Sequence, residues 1–276
     1  MPLRINLNKD ALFSQTNLGM VQGKLTQALE RLSSGLRINH AWEDPAGLLF
    51  SLQMQFQIVG VDAGNTNLSM AVDAMNTSDS FTRTVGDNLT RMTDLAFQAK
   101  NASLTTQQRR TLSFEFNELL EEVNRLAQNA EYNGKVLLNG SLLGVTVQTG
   151  YSAGNVVTLS IPCLTIGGSG LNISAMSIGG GMTYAQSAIN QINSSVQTIL
   201  GPAVAAIGAQ SAGWSRSISA QEIYSSNLKA ARSRIIDADL AQETTNLTNA
   251  QVIVQSGIAA LAQANAAQSL ALGLIR

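Results

Sequence analysis

The chain has 276 residues, a formal net charge of −1, and only 13% charged and 5% aromatic side chains. A typical soluble domain is about one-quarter charged; here Ala, Ser, Asn, Gln and Gly fill the difference. So small a net charge supplies neither the basic field that nucleic acid needs nor a polybasic membrane patch, and so sparse a set of charges and bulky core formers suits a chain whose solvent is largely copies of itself. The single cysteine, Cys163, excludes an internal disulfide. The opening residues, Met1 to Asp10, lack the apolar core of a cleavable secretory signal. No run of about 18 apolar residues suggests a membrane span.

Residues 1–10 are polar and read as irregular. From about Ala11 to Ser34, Leu18, Leu25, Leu29, Leu32 and then Leu36 keep steps of seven, four and three, the spacing of a coiled-coil seam. Gly35 suits the residue just past a helix end. A short link, Leu36–Glu43, follows, with Arg37, Asn39, His40 and Trp42, and with Glu43 and Asp44 as partners for Arg37. Asp44 then Pro45 reads as N-cap and first helical residue.

A very long helix runs from Pro45 towards Lys100. Val61, Leu68 and Met75 form one seven-step series and Val85, Met92 and Ala99 another; they look out of phase, which predicts a stutter near Ser78–Ser80. Thr105 is the N-cap of a third helix, whose stripe is Leu112, Phe116, Leu119, Val123, Leu126 and Ala130, with Glu121 four residues before Arg125. After Asn133-Gly134 the period drops to two: Val145 and Val147, then Val157, Leu159 and Ile161 across Gly154-Asn155, a β-hairpin signal. Residues from Leu164 to Gly181 are Gly- and Ser-rich loop. Ile189, Ile192, Val196 and Ile199 restore helical spacing, Gly201-Pro202 predicts a kink or break, and the helix continues through Ile207, Trp214 and Ile218. In the last helix Leu240, Leu247, Val254 and Leu261 are each seven apart, with Ile236, Ala250 and Ala264 between.

These elements predict a mainly α fold: an elongated antiparallel coiled-coil or helical bundle, with paired N- and C-terminal helices and one small β-hairpin region. The terminal helices carry the functional signal. In residues 251–276 every face is Ala, Ser, Gly, Gln, Asn, Val, Leu or Ile, with no charge until Arg276. A helix apolar all round must be buried, one partner helix cannot cover it, and neighbouring copies must. Leu18, Leu25, Leu29, Leu32, Leu240, Leu247, Val254 and Leu261 are the candidate self-assembly residues.

Glu30-Arg31-Leu32-Ser33-Ser34-Gly35-Leu36-Arg37-Ile38-Asn39 followed by Glu43-Asp44-Pro45-Ala46-Gly47 resembles the N-terminal signature of bacterial flagellins. Ala231-Arg232-Ser233-Arg234-Ile235-Ile236-Asp237-Ala238-Asp239, Leu261-Ala262-Gln263-Ala264-Asn265 and the ending Leu274-Ile275-Arg276 are similar to the family's C-terminal run and tail. Tyr132-Asn133-Gly134 and Ile207-Gly208-Ala209-Gln210 match two further family motifs, so the resemblance covers roughly residues 3–140 and 205–276. It implies an inner domain of terminal helices, 1–44 plus 237–276, and a rod-like helical domain, 45–236, with its hairpin at about 141–165 and loop to about 181. Only about forty residues stand where many flagellins insert large outer domains, so a short form is expected. Trp42 and Pro45 replace small residues of the usual link, Pro202 interrupts the returning helix, and Ala212-Gly213 replaces a polar pair.

The resemblance also implies the function and the partners: a structural subunit that polymerises into the helical filament used for motility, secreted and extracellular. Its partners would be other flagellin copies, the flagellar export apparatus and an export chaperone, the filament cap and the hook-associated junction proteins. Arg91, Leu95 and Glu115 fall where flagellins are bound by the flagellin-sensing toll-like receptor, and Arg37, Asn39, Asp44 and Pro45 form the inter-domain link. A hook–filament junction protein is the alternative within the family; a membrane-active helical protein is the alternative outside it, although the polar faces lack Lys and Arg. No catalytic residue, cofactor or metal ligand is expected. His40 has no nucleophile elbow around any serine. Asp237 and Asp239, two apart on a helix, would diverge. The Gly-rich runs near Gly168 and Gly180 lack the Lys-Ser/Thr of a phosphate loop.

Overall fold

The computed structural model describes residues 9–273. The expectation of an irregular start bears mostly on residues 1–8, and that for the ending on Leu274, Ile275 and Arg276; both lie outside the described residues. The chain forms two compact units: Met1–Phe56 together with Asn227–Arg276, and Gln57–Ser226. The elements in order are α1 (Lys9–Ser34), α2 (Pro45–Ala99), α3 (Thr106–Asn129), β1 (Glu131–Tyr132), β2 (Lys135–Val136), β3 (Val145–Gln148), β4 (Val156–Leu159), α4 (Met182–Ser195), a π-helical turn (Val196–Leu200), α5 (Gly201–Ile236) and α6 (Leu240–Gly273). A mainly helical bundle is what the periodicities predict; two small hairpins form where one was expected.

The expected stutter in α2 does not exist. Buried positions recur at Val61, Gly64, Leu68, Ala71, Met75, Ser78, Thr82, Val85, Leu89, Met92, Ala96 and Ala99, an unbroken alternation of three and four. The two seven-step series are the alternate positions of one seam. They look out of phase because Gly64, Ser78 and Thr82 occupy seam sites and are not apolar markers. The buried hydroxyls of Ser78 and Thr82 donate to the carbonyls of Ala74 and Ser78, at 2.8 and 2.7 Å, so neither is left unpaired. Replacing Thr82 by valine removes a donor whose acceptor keeps its helical N–H partner. The expected result is a melting point unchanged or raised, by the equivalent of at most about 1 kcal/mol; a fall of several degrees would mean the hydroxyl does more than satisfy itself.

Thr105 caps α3 in a capping box: its hydroxyl accepts from the Gln108 N–H, and its own N–H donates to Gln108 Oε1 at 2.9 Å. The buried arc of α3 is Phe116, Leu120, Val123 and Ala127. Leu112, Leu119 and Leu126 sit on its edge, so the buried surface is wider than the single stripe read from the sequence. Arg125 pairs with Glu122, not Glu121, at 2.6 Å.

Asn133 and Gly134 turn with φ of 50° and 74°, joining β1 and β2 into a two-residue hairpin that the sequence marked only as a change of period. The expected β3–β4 hairpin forms, with Val145 opposite Leu159 and Val147 opposite Val157. The Gly- and Ser-rich stretch after it has no regular structure, yet it buries Leu164, Leu171, Ile173 and Ile178 in the core with α2, α3 and α4. Its backbone is held by bonds such as Leu164 N–H to Leu138 O, at 2.8 Å, and Leu171 N–H to Thr165 O, at 2.7 Å.

Gly201-Pro202 neither breaks nor ends the returning helix. Buried positions on α4 step as Ala188, Ile192 and Ser195; the next are Leu200, Ala203, Ile207 and Trp214. The step of five between Ser195 and Leu200 carries one residue too many for an α-helix, and the π-turn absorbs it. The Gly201 N–H accordingly donates to Val196 O, and Pro202, with no N–H to give, follows where the regular ladder is already interrupted.

In this second unit the tip of the β3–β4 hairpin lies against α2 at Gly60 and Gly64. A Cβ at Gly60 would stand 2.6 Å from Tyr151 Cα, and one at Gly64 would stand 2.8 Å from Gly150 N and strike the Thr149 carbonyl. Only glycine leaves room there. Asn67 donates to Gln148 O at 3.0 Å. From α5, Gln210 grips the far end of the hairpin through both amide atoms, Nε2 to Ser160 O at 3.1 Å and Oε1 from Ser160 N–H at 3.3 Å.

Candidate functional site

The first unit is built on α1 and α6, which pack against each other. Leu18, Leu25 and Leu32 are half-buried on α1, and Leu247, Val254 and Leu261 half-buried on α6. Leu18 meets the backbone of Gly257, where a Cβ would stand 3.1 Å from Leu18 Cδ1. Leu29 and Leu240 are the exceptions. Both are exposed, since the α1 seam passes through Ala28 rather than Leu29 and the α6 seam begins at Glu243 rather than Leu240. They belong to the uncovered surface instead.

That surface is extensive. On α1 it carries Phe13, 70% exposed, and Met20, two turns on along the same face. On α6 it carries Val252, Ile253 and Ile258 in a stretch whose described side chains include no charge between Gln251 and Ala267. One helix pair leaves most of each circumference open, and contiguous apolar surface of this kind marks an interface.

Between the two helices the link is folded by charge and backbone bonds. Leu36 and Asp237 form an isolated antiparallel bridge; the Arg37 N–H donates to Ile236 O at 2.6 Å, and the Ala238 N–H to Gly35 O at 2.9 Å. The sequence pairs Arg37 with Glu43 or Asp44, but the structure does not. The Arg37 guanidinium donates to the Ile235 carbonyl, at 2.6 Å from Nη2, and the arginine that meets Glu43 is Arg31. Arg31 spans two carboxylates, Glu43 and Glu243, each at 3.3 Å. Glu243 is buried, a position at which the apolar periodicity of α6 gave no hint of a charge. Asp44 caps α2 by accepting the Gly47 N–H at 2.9 Å, with Pro45 in first place as predicted. Asn39 donates its amide to Leu36 O at 3.4 Å.

Glu43 also accepts from Gln27 and from the backbone N–H groups of Asn39 and His40. Burial opposes its ionisation, but these donors and the Arg31 charge outweigh that and hold its pKa at about 2, against an ordinary 4.5. A depressed carboxylate stabilises the fold above its unfolded pKa and ceases to do so as the pH falls through its folded one. The link therefore loses stability between about pH 4.5 and about pH 2. Hydrogen exchange of the link amides should accelerate across that window, and Glu43→Gln should flatten the change; an unaltered profile in the variant would assign the acid response to another group.

His40 lies beside Glu30, Nε2 to Oε1 at 2.8 Å, and stacks on Trp42 with ring centroids 5.9 Å apart. Asp239 spends its carboxylate on the first N–H groups of α6, Ala241 at 2.9 Å and Gln242 at 3.2 Å. Among the described residues no group of three His, Cys, Asp or Glu is placed to hold a metal ion, and no helix is long and apolar enough to cross a membrane. In the second unit, Arg91 and Glu115 pair at 2.6 Å on the surface. Leu95, expected beside them, is 0% exposed, a core residue beside the α2 seam with no surface for a partner to touch.

Comparison with known proteins agrees with this arrangement. Residues 5–142 match the family model described as the bacterial flagellin N-terminal helical region, and residues 182–274 match that of the C-terminal helical region. The chain is 32% identical over 272 residues to a flagellin of Halalkalibacterium halodurans, and 31% identical over 287 residues to a flagellin of Treponema pallidum, covering 99% of both chains in each case. It is 30% identical over 292 residues to the flagellar filament 33 kDa core protein of Treponema phagedenis, again covering 99% of each. A solved putative flagellar hook-associated protein from Vibrio parahaemolyticus shares the fold, with a TM-score of 0.59 at 16% identity, over 71% of this chain and 100% of that one.

Proposed function

Since the chain belongs to the bacterial flagellin family and is a structural subunit that polymerises into the flagellar filament, we propose that the open faces of α1 and α6 are where one copy meets the next. The observation that carries this is the uncharged circumference of α6 beyond Gln251, which a single partner helix leaves largely bare. One patch meeting a different patch on the next copy does not close on itself and so propagates as a helix. The exposed Leu29, Leu240, Phe13 and Met20 join the contact surface, while Leu18, Leu25, Leu32, Leu247, Val254 and Leu261 hold the pair that presents it.

The finer features of the flagellin reading follow as part of the same proposal. The chain reaches the cell exterior through the flagellar export apparatus, escorted by an export chaperone, and adds beneath the filament cap on top of the hook-associated junction proteins. The link around Arg37, Asn39, Asp44 and Pro45 sets how the inner helices are carried. The paired Arg91 and Glu115 are the residues of the receptor surface that a flagellin-sensing toll-like receptor would reach.

The test is seeded polymerisation. Purified protein added to sheared filaments should lengthen them under the electron microscope and leave a fixed residual monomer concentration. A monodisperse protein that never adds to seeds would end the reading.

A further inference from the structure

We propose that Trp42 is an anchor between subunits, inserted into a neighbouring copy of this chain in the filament. The proposal rests on the filament reading and names one contact within it.

Three observations point to it. Trp42 is 74% exposed, a large ring left in water. It is also held still: it stacks on His40 at a 14° interplanar angle, and His40 is itself fixed by Glu30 at 2.8 Å. The residue after it, Glu43, is tied to Arg31, Gln27 and two backbone N–H groups, so the link cannot readily fold the ring back onto its own unit. A pre-positioned tryptophan loses little freedom on binding and brings one of the largest apolar areas of any side chain, the profile of a hot-spot residue.

The surroundings supply the third point. Leu29 precedes Glu30, the partner of His40, and Leu240 stands one turn before Glu243, the second partner of Arg31. Both leucines missed the intramolecular seam and are exposed. The first unit thus leaves several large apolar side chains of α1, α6 and the link in water, outside its own seam. The occupant is another copy because the chain polymerises with itself and this surface continues the uncovered faces of α1 and α6 from the same unit.

The chain has two tryptophans, and Trp214 is buried in the other unit, so Trp214→Phe leaves Trp42 as the sole indole reporter. In that background its emission should shift to the blue when seeded filaments form. Trp42→Ala should raise the residual monomer concentration at least tenfold and Trp42→Phe by less, with the melting curves of both free monomers unchanged. Equal residual monomer for Trp42→Ala and the unaltered chain, or no emission shift on polymerisation, would overturn the anchor while leaving the filament reading intact. An emission shift with phosphatidylglycerol–phosphatidylcholine vesicles and none on polymerisation would assign the ring to a lipid surface and overturn it too. Failure of the unaltered chain to add to seeds would overturn both.

Discussion

Replacing Gly64 by alanine should lower the melting temperature of the unit Gln57–Ser226 by about 2–12 °C. In an exposed helix interior the same change stabilises by up to about 1 kcal/mol, because alanine loses less backbone freedom on folding. Here the new methyl strikes the Thr149 carbonyl and crowds Gly150 N, both of them backbone atoms. Neither can swing aside as a side chain would. The hairpin tip must lift, and overpacking of that kind costs about 1–3 kcal/mol. At roughly 2–4 °C per kcal/mol for a unit of this size, the shift is readily measured by calorimetry. Gly208 on α5 is the control: nothing lies within 4 Å of a Cβ there, so Gly208→Ala should raise the melting temperature slightly. If the two substitutions behaved alike, the notch at Gly60 and Gly64 would not be holding the hairpin.

The second large effect should fall on assembly and spare the monomer. Val252 is 59% exposed and sits on α6 in the uncharged stretch that follows Glu243. Val252→Glu places a carboxylate in water in the free chain, which costs almost nothing. In a filament whose subunits cover that face, the same carboxylate would be buried without a partner, at several kcal/mol per copy. About 4 kcal/mol corresponds to a thousandfold change in an equilibrium constant. Seeded growth should therefore vanish at concentrations where the unaltered chain and Val252→Leu both elongate, while circular dichroism of the three monomers coincides. Normal growth of Val252→Glu filaments would show that this face points into solvent after assembly.

The two predictions differ in how visible their grounds were before the fold was known. The barren circumference of α6 could be read directly, because an absence of charge over 25 residues needs no neighbour to interpret it. The glycine notch could not. Nothing local to α2 marks Gly60 and Gly64, and only the hairpin, more than 80 residues away, gives them a purpose. Distance in sequence explains the other surprises as well. Arg31 is adjacent to nothing acidic except Glu30, yet its partners are Glu43 and Glu243; Arg37 stood next to plausible partners and took a carbonyl instead. In α2, a rule that counts only apolar residues lost the seam at Ser78 and Thr82, where the helix's own carbonyls make a hydroxyl acceptable in the core. Leu29 and Leu240 were misplaced for the converse reason, as leucines beside a seam rather than in it. Caps, the β3–β4 hairpin and helix order were legible because each depends on residues within a few positions of one another.

The π-turn at Val196–Leu200 has a further consequence for anyone recombining this protein with its relatives. One surplus residue in ordinary α-helical winding would turn everything after it by about a third of a revolution, so Ile207 and Trp214 reach the interior only because the wider turn absorbs it. A chimera joined upstream of Val196 or downstream of Leu200 preserves the arrangement. One that forced those five residues into ordinary α-helical winding with none removed would present Ala206 and Gly213 inward and deliver the indole of Trp214 to the outside. Deleting one of the five would instead leave Ile207 and Trp214 inside.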